Sequence, residues 1–113
     1  MLKRSIQTLE SLILVHPEDA RAHLFLAVNL AEIGNTNKAK DEAKKALDIN
    51  PTDPLMQYNA SCFYSQMGDK KLAIESLRNA FMAGYQDYEW VKRDTDLENI
   101  RKEPEFIELM KGK

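Results

Sequence analysis

A second cysteine is missing from the sequence, so Cys62 has no partner for an intramolecular disulfide. A reducing, cytoplasmic setting is the expectation that follows. Glycine and proline are scarce as well, four of each in 113 residues, which leaves no room for a low-complexity segment or a long flexible linker. No apolar run approaches the roughly 18 residues that a membrane-spanning helix needs. Gln7, Thr8 and Glu10 interrupt any signal-peptide core behind Lys3 and Arg4. Neither charge sign dominates: 16 basic against 18 acidic residues give a formal net charge of −2, with no broad basic field for nucleic acid or an anionic membrane. No run alternates apolar and polar residues long enough to suggest a strand, which points to an all-α chain.

Enzyme signatures are missing too. There is no glycine-rich phosphate loop, no nucleophile elbow and no pair of carboxylates on a plausible cleft, so no catalytic residue and no cofactor is assigned.

What the sequence does have is a repeat. Shifted by 34 residues, "KRSIQTLESLILVHPED" returns as "NKAKDEAKKALDINPTD", with Leu9 falling on Ala43 and Pro17 on Pro51. The same offset sets residues 20–53 over 54–87, pairing Leu30 with Tyr64, Gly34 with Gly68, Ala39 with Ala73, Ala46 with Ala80 and Leu47 with Phe81. Small residues meet small ones and bulky residues meet bulky ones.

Each unit divides into two helices. Asp19 and Asp53 stand where a carboxylate can cap free N–H groups, with Pro54 at the first helical position. Gly34 and Gly68 suit a left-handed helix end, and Asn35 and Asp69 follow as caps for the next helices. Helices are therefore predicted near 20–33, 36–48, 54–67 and 70–83. Ala39, Ala43, Ala46 and Leu47 recur at three- and four-residue steps as a buried stripe, and their small size permits two antiparallel helices to approach closely.

On these residues the chain resembles the tetratricopeptide repeat family, whose unit is a 34-residue helix–turn–helix with a closing proline. Leu26, Ala27, Leu30, Gly34, Ala39, Ala43, Ala46 and Pro51 match in the first full unit, and Ala60, Ser61, Tyr64, Gly68, Ala73 and Ala80 in the second. His23 and Gln57 replace the frequent tryptophan, and Tyr85 stands in place of the second proline. The resemblance implies an α-solenoid forming one domain over 1–113: a half repeat at 2–16, full repeats at 20–53 and 54–87, and a helical cap at 88–113. The tail "YQDYEWVKRDTDLENIRKEPEFIELMKGK" is similar to the C-terminal ends of microbial arrays, and an excised end of a longer array is expected. Short helices near 87–93, 96–102 and 104–111 would bring Tyr85, Tyr88, Trp90, Val91, Leu97, Ile100, Phe106, Ile107 and Leu109 over the last repeat.

Function follows from the same resemblance: a non-enzymatic module that takes a protein or peptide in a concave groove. Carried over by position, the groove would show Arg21, Leu24, Val28, Glu32, Leu55, Tyr58, Asn59, Cys62 and Gln66. Of the residues that grip a C-terminal carboxylate in some co-chaperones of the family, only Asn59 matches, so an apolar peptide or amphipathic helix is the expected guest. The alternative is self-association, with a homodimer formed through Leu2, Ile6, Leu9 and Ile13, the apolar stripe of the half repeat.

Four further features read as structural. Asp94, Asp96, Glu98 and Glu105 are spaced like a calcium loop, but Asn99 stands where that loop needs glycine, so helix capping and solvation are expected instead. His16 and His23 lack the further ligands of a zinc site. Cys62 fits a packing position, and the lysines at 38, 40, 44 and 45, mixed with Asp41 and Glu42, fit a solvated helix face.

Overall fold

The computed structural model describes residues 2–113, with side chains from Ser5 onward. The chain folds as two compact units that meet in sequence at Pro51 and Thr52. Helices and turns account for all regular structure among the described residues, with no strand.

The first unit holds α1 (Leu2–Val15), α2 (Ala20–Glu32) and α3 (Thr36–Ile49). Asp19 starts α2, its carboxylate accepting from Ala22 N at 3.1 Å. Gly34 ends it at φ 86°, where a side chain would be strained, and the two bonds of a Schellman turn close the end: Gly34 N to Ala31 O at 3.0 Å and Asn35 N to Leu30 O at 2.9 Å. Asn35 occupies the cap position of α3, yet its side chain makes no capping bond, unlike the predicted role. A neutral amide carries less negative charge than a carboxylate to hold against the positive end of a helix. With Ala27, Ala39, Ala43 and Ala46 fully buried, α2 and α3 pack tightly on each other.

Glu42 departs from the solvated face expected of its neighbours. It is buried, and its Oε2 lies 2.6 Å from His23 Nδ1 across the α2–α3 contact. The opposite ring nitrogen, Nε2, donates to Pro17 O at 2.8 Å. Since a carbonyl only accepts, that bond fixes a hydrogen on Nε2, and the His23–Glu42 pair shares one further proton between Nδ1 and the carboxylate. His23 thereby fills the tryptophan position with a polar link among three segments, and neither ring nitrogen is left for a metal.

The second unit repeats the plan with α4 (Pro54–Gln66) and α5 (Lys70–Met82). Asp53 caps α4 through Leu55 N and Met56 N at 3.0 and 3.1 Å, Pro54 sits in the first turn, and Asp69 caps α5 through Leu72 N at 3.2 Å. Fully buried Ala60, Ser61, Ala73 and Ala80 let the pair close up, and Ser61 Oγ donates to Ala73 O at 2.6 Å, so even the polar residue at the contact is satisfied.

The tail belongs to this second unit. It forms α6 (Tyr88–Arg93), a 3-10 helix (Thr95–Ile100) and α7 (Pro104–Met110). The middle piece winds more tightly than the α-helix that the sequence suggests. Val91, Leu97 and Ile100 are fully buried and Phe106 nearly so, but Trp90 and Ile107 remain 45% and 52% exposed, contrary to the expected cover. One Arg101 nitrogen donates to Val91 O at 3.2 Å and to Lys92 O, and the other donates to Asp94 O at 2.5 Å, gathering the carbonyls at the end of α6.

Candidate interaction surface

Helical rotation decides which side chains of α2 a partner can reach. Leu24, predicted to line a groove, is 3% exposed. Arg21 and Glu32 are exposed and Val28 half-buried, as a groove would need. Phe25, absent from the predicted set, is 50% exposed and carries the Arg21 guanidinium 6.0 Å from its ring centre. Residues 21, 25, 28 and 32 follow one another at steps of four, three and four, so they line a single face of α2. That face offers a cation over an aromatic ring, an aliphatic patch and a carboxylate.

On α4 the predicted set also divides. Leu55, Asn59 and Gln66 are exposed, while Tyr58 and Cys62 are buried. Covering them is the protein's own tail. Tyr58 donates its hydroxyl hydrogen to Asp94 Oδ2 at 2.5 Å, and its ring stacks on Tyr85 with centres 4.4 Å apart and planes 3° from parallel. The Cys62 thiol donates to the same Oδ2 at 3.6 Å. Gln66 Nε2 donates to Asp96 Oδ1 at 3.0 Å, and Asn99 Nδ2 to Ser65 O at 2.8 Å. Tyr85, which replaces the family's proline, thus serves as a flat platform for Tyr58.

Asp94 is the residue that sequence reasoning missed. It does cap a helix, its Oδ1 accepting from Asp96 N at 3.0 Å, but it is also buried, against the solvation expected for that run of acids. Nothing local marks it, because Tyr58 and Cys62 lie more than thirty residues away in sequence.

Cys62, Asp94 and Asp96 place their donor atoms within 4.8 Å of one another, the one such potential metal-binding group among the described residues. All three are hydrogen-bonded within the fold, and three donors fall short of the usual zinc set. Burial, then the bond to Asp94, pushes the Tyr58 phenol well above its ordinary range; burial, then the Asp94 charge, does the same to the Cys62 thiol. Asp96 is raised by burial and then by its Asp94 neighbour.

Both the phenol and the thiol are thus held neutral. The unfolded chain ionises them from their ordinary values of 9.0 for cysteine and 10.0 for tyrosine, whereas the folded state resists. Their contribution is fully present below those values and is lost progressively as pH rises above them toward the raised folded-state values, by up to about 1.4 kcal/mol per pH unit for each group. Urea unfolding stepped from about pH 8 to about pH 10 should show this decline, and Cys62→Ala should flatten its earlier part.

In the α1 stripe proposed for self-association, Ile6 is buried and Leu9 and Ile13 are half-buried, with α1 packed against α2 of its own unit. The side chain of Leu2 lies outside the described residues. Among the described side chains of α1, the large apolar ones left exposed are Leu12, Leu14 and Val15.

Paired helices with small residues at their contacts and glycine-ended turns define an all-α helical-repeat protein, of the class that builds α-solenoids. The chain belongs to the tetratricopeptide repeat family: the pattern described as "Tetratricopeptide repeat" matches residues 20–53 and 55–83. The family is a non-catalytic protein-interaction scaffold, and its repeats make this chain a protein–protein interaction module. A chloroplastic protein of Arabidopsis thaliana is 30% identical over 81 residues, covering 69% of this chain and 24% of that protein. The chain therefore spans about a quarter of the length of that relative. No solved structure matches it. No helix among the described residues is long and apolar enough to cross a membrane.

Proposed function

We propose that the module binds a peptide or helical segment of a partner protein through the first helices of its repeats, with Arg21, Phe25, Val28 and Glu32 as the principal contact face. The observation that carries this reading is the exposure of Phe25: a half-exposed aromatic under a guanidinium, on a helix whose opposite side is packed, is the kind of anchor around which interfaces form. Leu55 and Asn59 on α4 offer a second, smaller set of accessible contacts. Tyr58 and Cys62 have no part in it, since Asp94 and Tyr85 already cover them. A single buried cysteine suits a reducing compartment, and the cytoplasm is the proposed location.

The test is a double substitution, Arg21→Glu with Phe25→Ala, on surface positions that leave the helix pair intact. Affinity capture should recover a reproducible partner with the unaltered chain and lose at least tenfold of it with the variant, while far-ultraviolet circular dichroism stays unchanged. Equal recovery by a fully helical variant would contradict the α2 assignment.

A second reading, self-association through α1, is supported by the 85% and 71% exposure of Leu14 and Val15. It predicts a dimer by light scattering that Leu14→Lys converts to monomer, and a strict monomer at high concentration rejects it.

A further inference from the structure

A cleft of about 840 Å³ opens among α5, α6 and α7, independent of the α2 face. Its size falls in the range of ligand pockets. Phe81 and Tyr88 meet in it edge to face, with ring centres 5.1 Å apart and planes at 83°. The two rings thus form a right-angled corner whose inner sides are ring faces. A cation sits there already: Lys113 Nζ is 5.0 Å from the Tyr88 centre and 5.7 Å from that of Phe81. Met82, 79% exposed, and Leu109 extend the apolar wall, and Glu105 and Glu108 also line the cleft.

From this arrangement we infer that the Phe81–Tyr88 corner is a binding site for the lysine side chain of a partner peptide, held in the free protein by the chain's own Lys113. The occupant defines the chemistry, since what the two rings accept here is an alkylammonium on a flexible aliphatic stem. Aromatic rings attract it through their negative faces, and Met82 and Leu109 suit the methylenes. Charge at the rim adds no strong selection of its own. Glu108 pairs with Lys111 at 3.0 Å, and the remaining Arg78 and Glu105 offset each other. Selection falls to the rings.

Displacement is feasible for the same reason. An exposed cation–π contact shifts an equilibrium only about two- to fivefold, so Lys113 holds the corner weakly against a peptide that adds contacts along the cleft.

The experiment follows Phe81 and Tyr88 ring resonances by NMR while acetyl-Gly-Lys-Gly-amide is added to the full chain and to Lys113→Gln. The neutral isostere acetyl-Gly-norleucine-Gly-amide and tetramethylammonium chloride serve as separate arms. The expected result is concentration-dependent ring shifts with the lysine peptide, at least twofold larger at equal concentration in Lys113→Gln, and none with the norleucine peptide. Tyr88→Leu, at a half-buried position on a short helix, should abolish the shifts without loss of helicity. Equal shifts from the norleucine peptide, or none in Lys113→Gln, would overturn the inference. Saturation by tetramethylammonium with no response to the lysine peptide would also overturn it, by showing a site for small cations instead.

Discussion

Asp94→Ala should cost the second unit about 2 to 4 kcal/mol and loosen the tail from α4. The carboxylate accepts from the Tyr58 hydroxyl, the Cys62 thiol and the Asp96 amide, all within the fold. Removing it takes away the buried phenol's carboxylate acceptor, at roughly 1 to 3 kcal/mol, and uncaps the 3-10 helix at roughly 1 kcal/mol more. Opposing this is the relief of no longer burying a charge, and the three donors, together with Arg101 gathered at the Asp94 carbonyl, make that relief the smaller effect. Asp96→Ala is the matched control. It removes a carboxylate disfavoured by burial and by Asp94, so its loss of one exposed bond to Gln66 should change stability by less than about 0.5 kcal/mol. Urea unfolding gives the energies, and amide exchange over residues 88–100 reports whether the tail has come loose. Equal, small effects for the two variants would show that Asp94 is not the anchor.

Glu42→Ala should cost the first unit about 3 to 5 kcal/mol. The pair with His23 is buried on both sides, 6% and 9% of the side chains being accessible, and the loss of one partner leaves the other polar group stranded between α2 and α3. His23→Ala should cost a similar amount and also free Pro17 O. Replacing both by leucine should cost much less than the sum of the single changes, because no buried polar group is then left unpaired. A double-mutant cycle by thermal unfolding measures the coupling, expected at about 2 kcal/mol or more. Additive single costs would mean that the contact organises nothing. By comparison, the surface pair Lys38–Glu10, at 3.4 Å and half exposed on both sides, should contribute little.

Helix positions were legible in the sequence to within one or two residues because their signals are local. Asp19, Asp53 and Asp69 each reach an amide two or three residues ahead, and Gly34 and Gly68 supply the left-handed turn that ends a helix. The interaction surface was less legible because one position along a helix is a rotation of about 100°. Leu24 and Phe25 are adjacent in sequence, yet the first is buried and the second exposed. The steps of four, three and four through Arg21, Phe25, Val28 and Glu32 were the available signal for the exposed face of α2. No comparable pattern exists for Asp94 or for Glu42. Their partners lie 36 and 19 residues away, and only packing brings them together. Tyr58 and Cys62 were assigned to an open groove for the same reason, because a 34-residue offset cannot reveal that the second unit's own tail occupies the space.

Hydrogen exchange on the complex with the captured partner tests most directly whether the repeats present α2 as the binding face. The proposed α2 face predicts slowed exchange within residues 20–32 on partner binding, lost in Arg21→Glu with Phe25→Ala. Protection confined to α3, or none at all in a saturated complex, would contradict it.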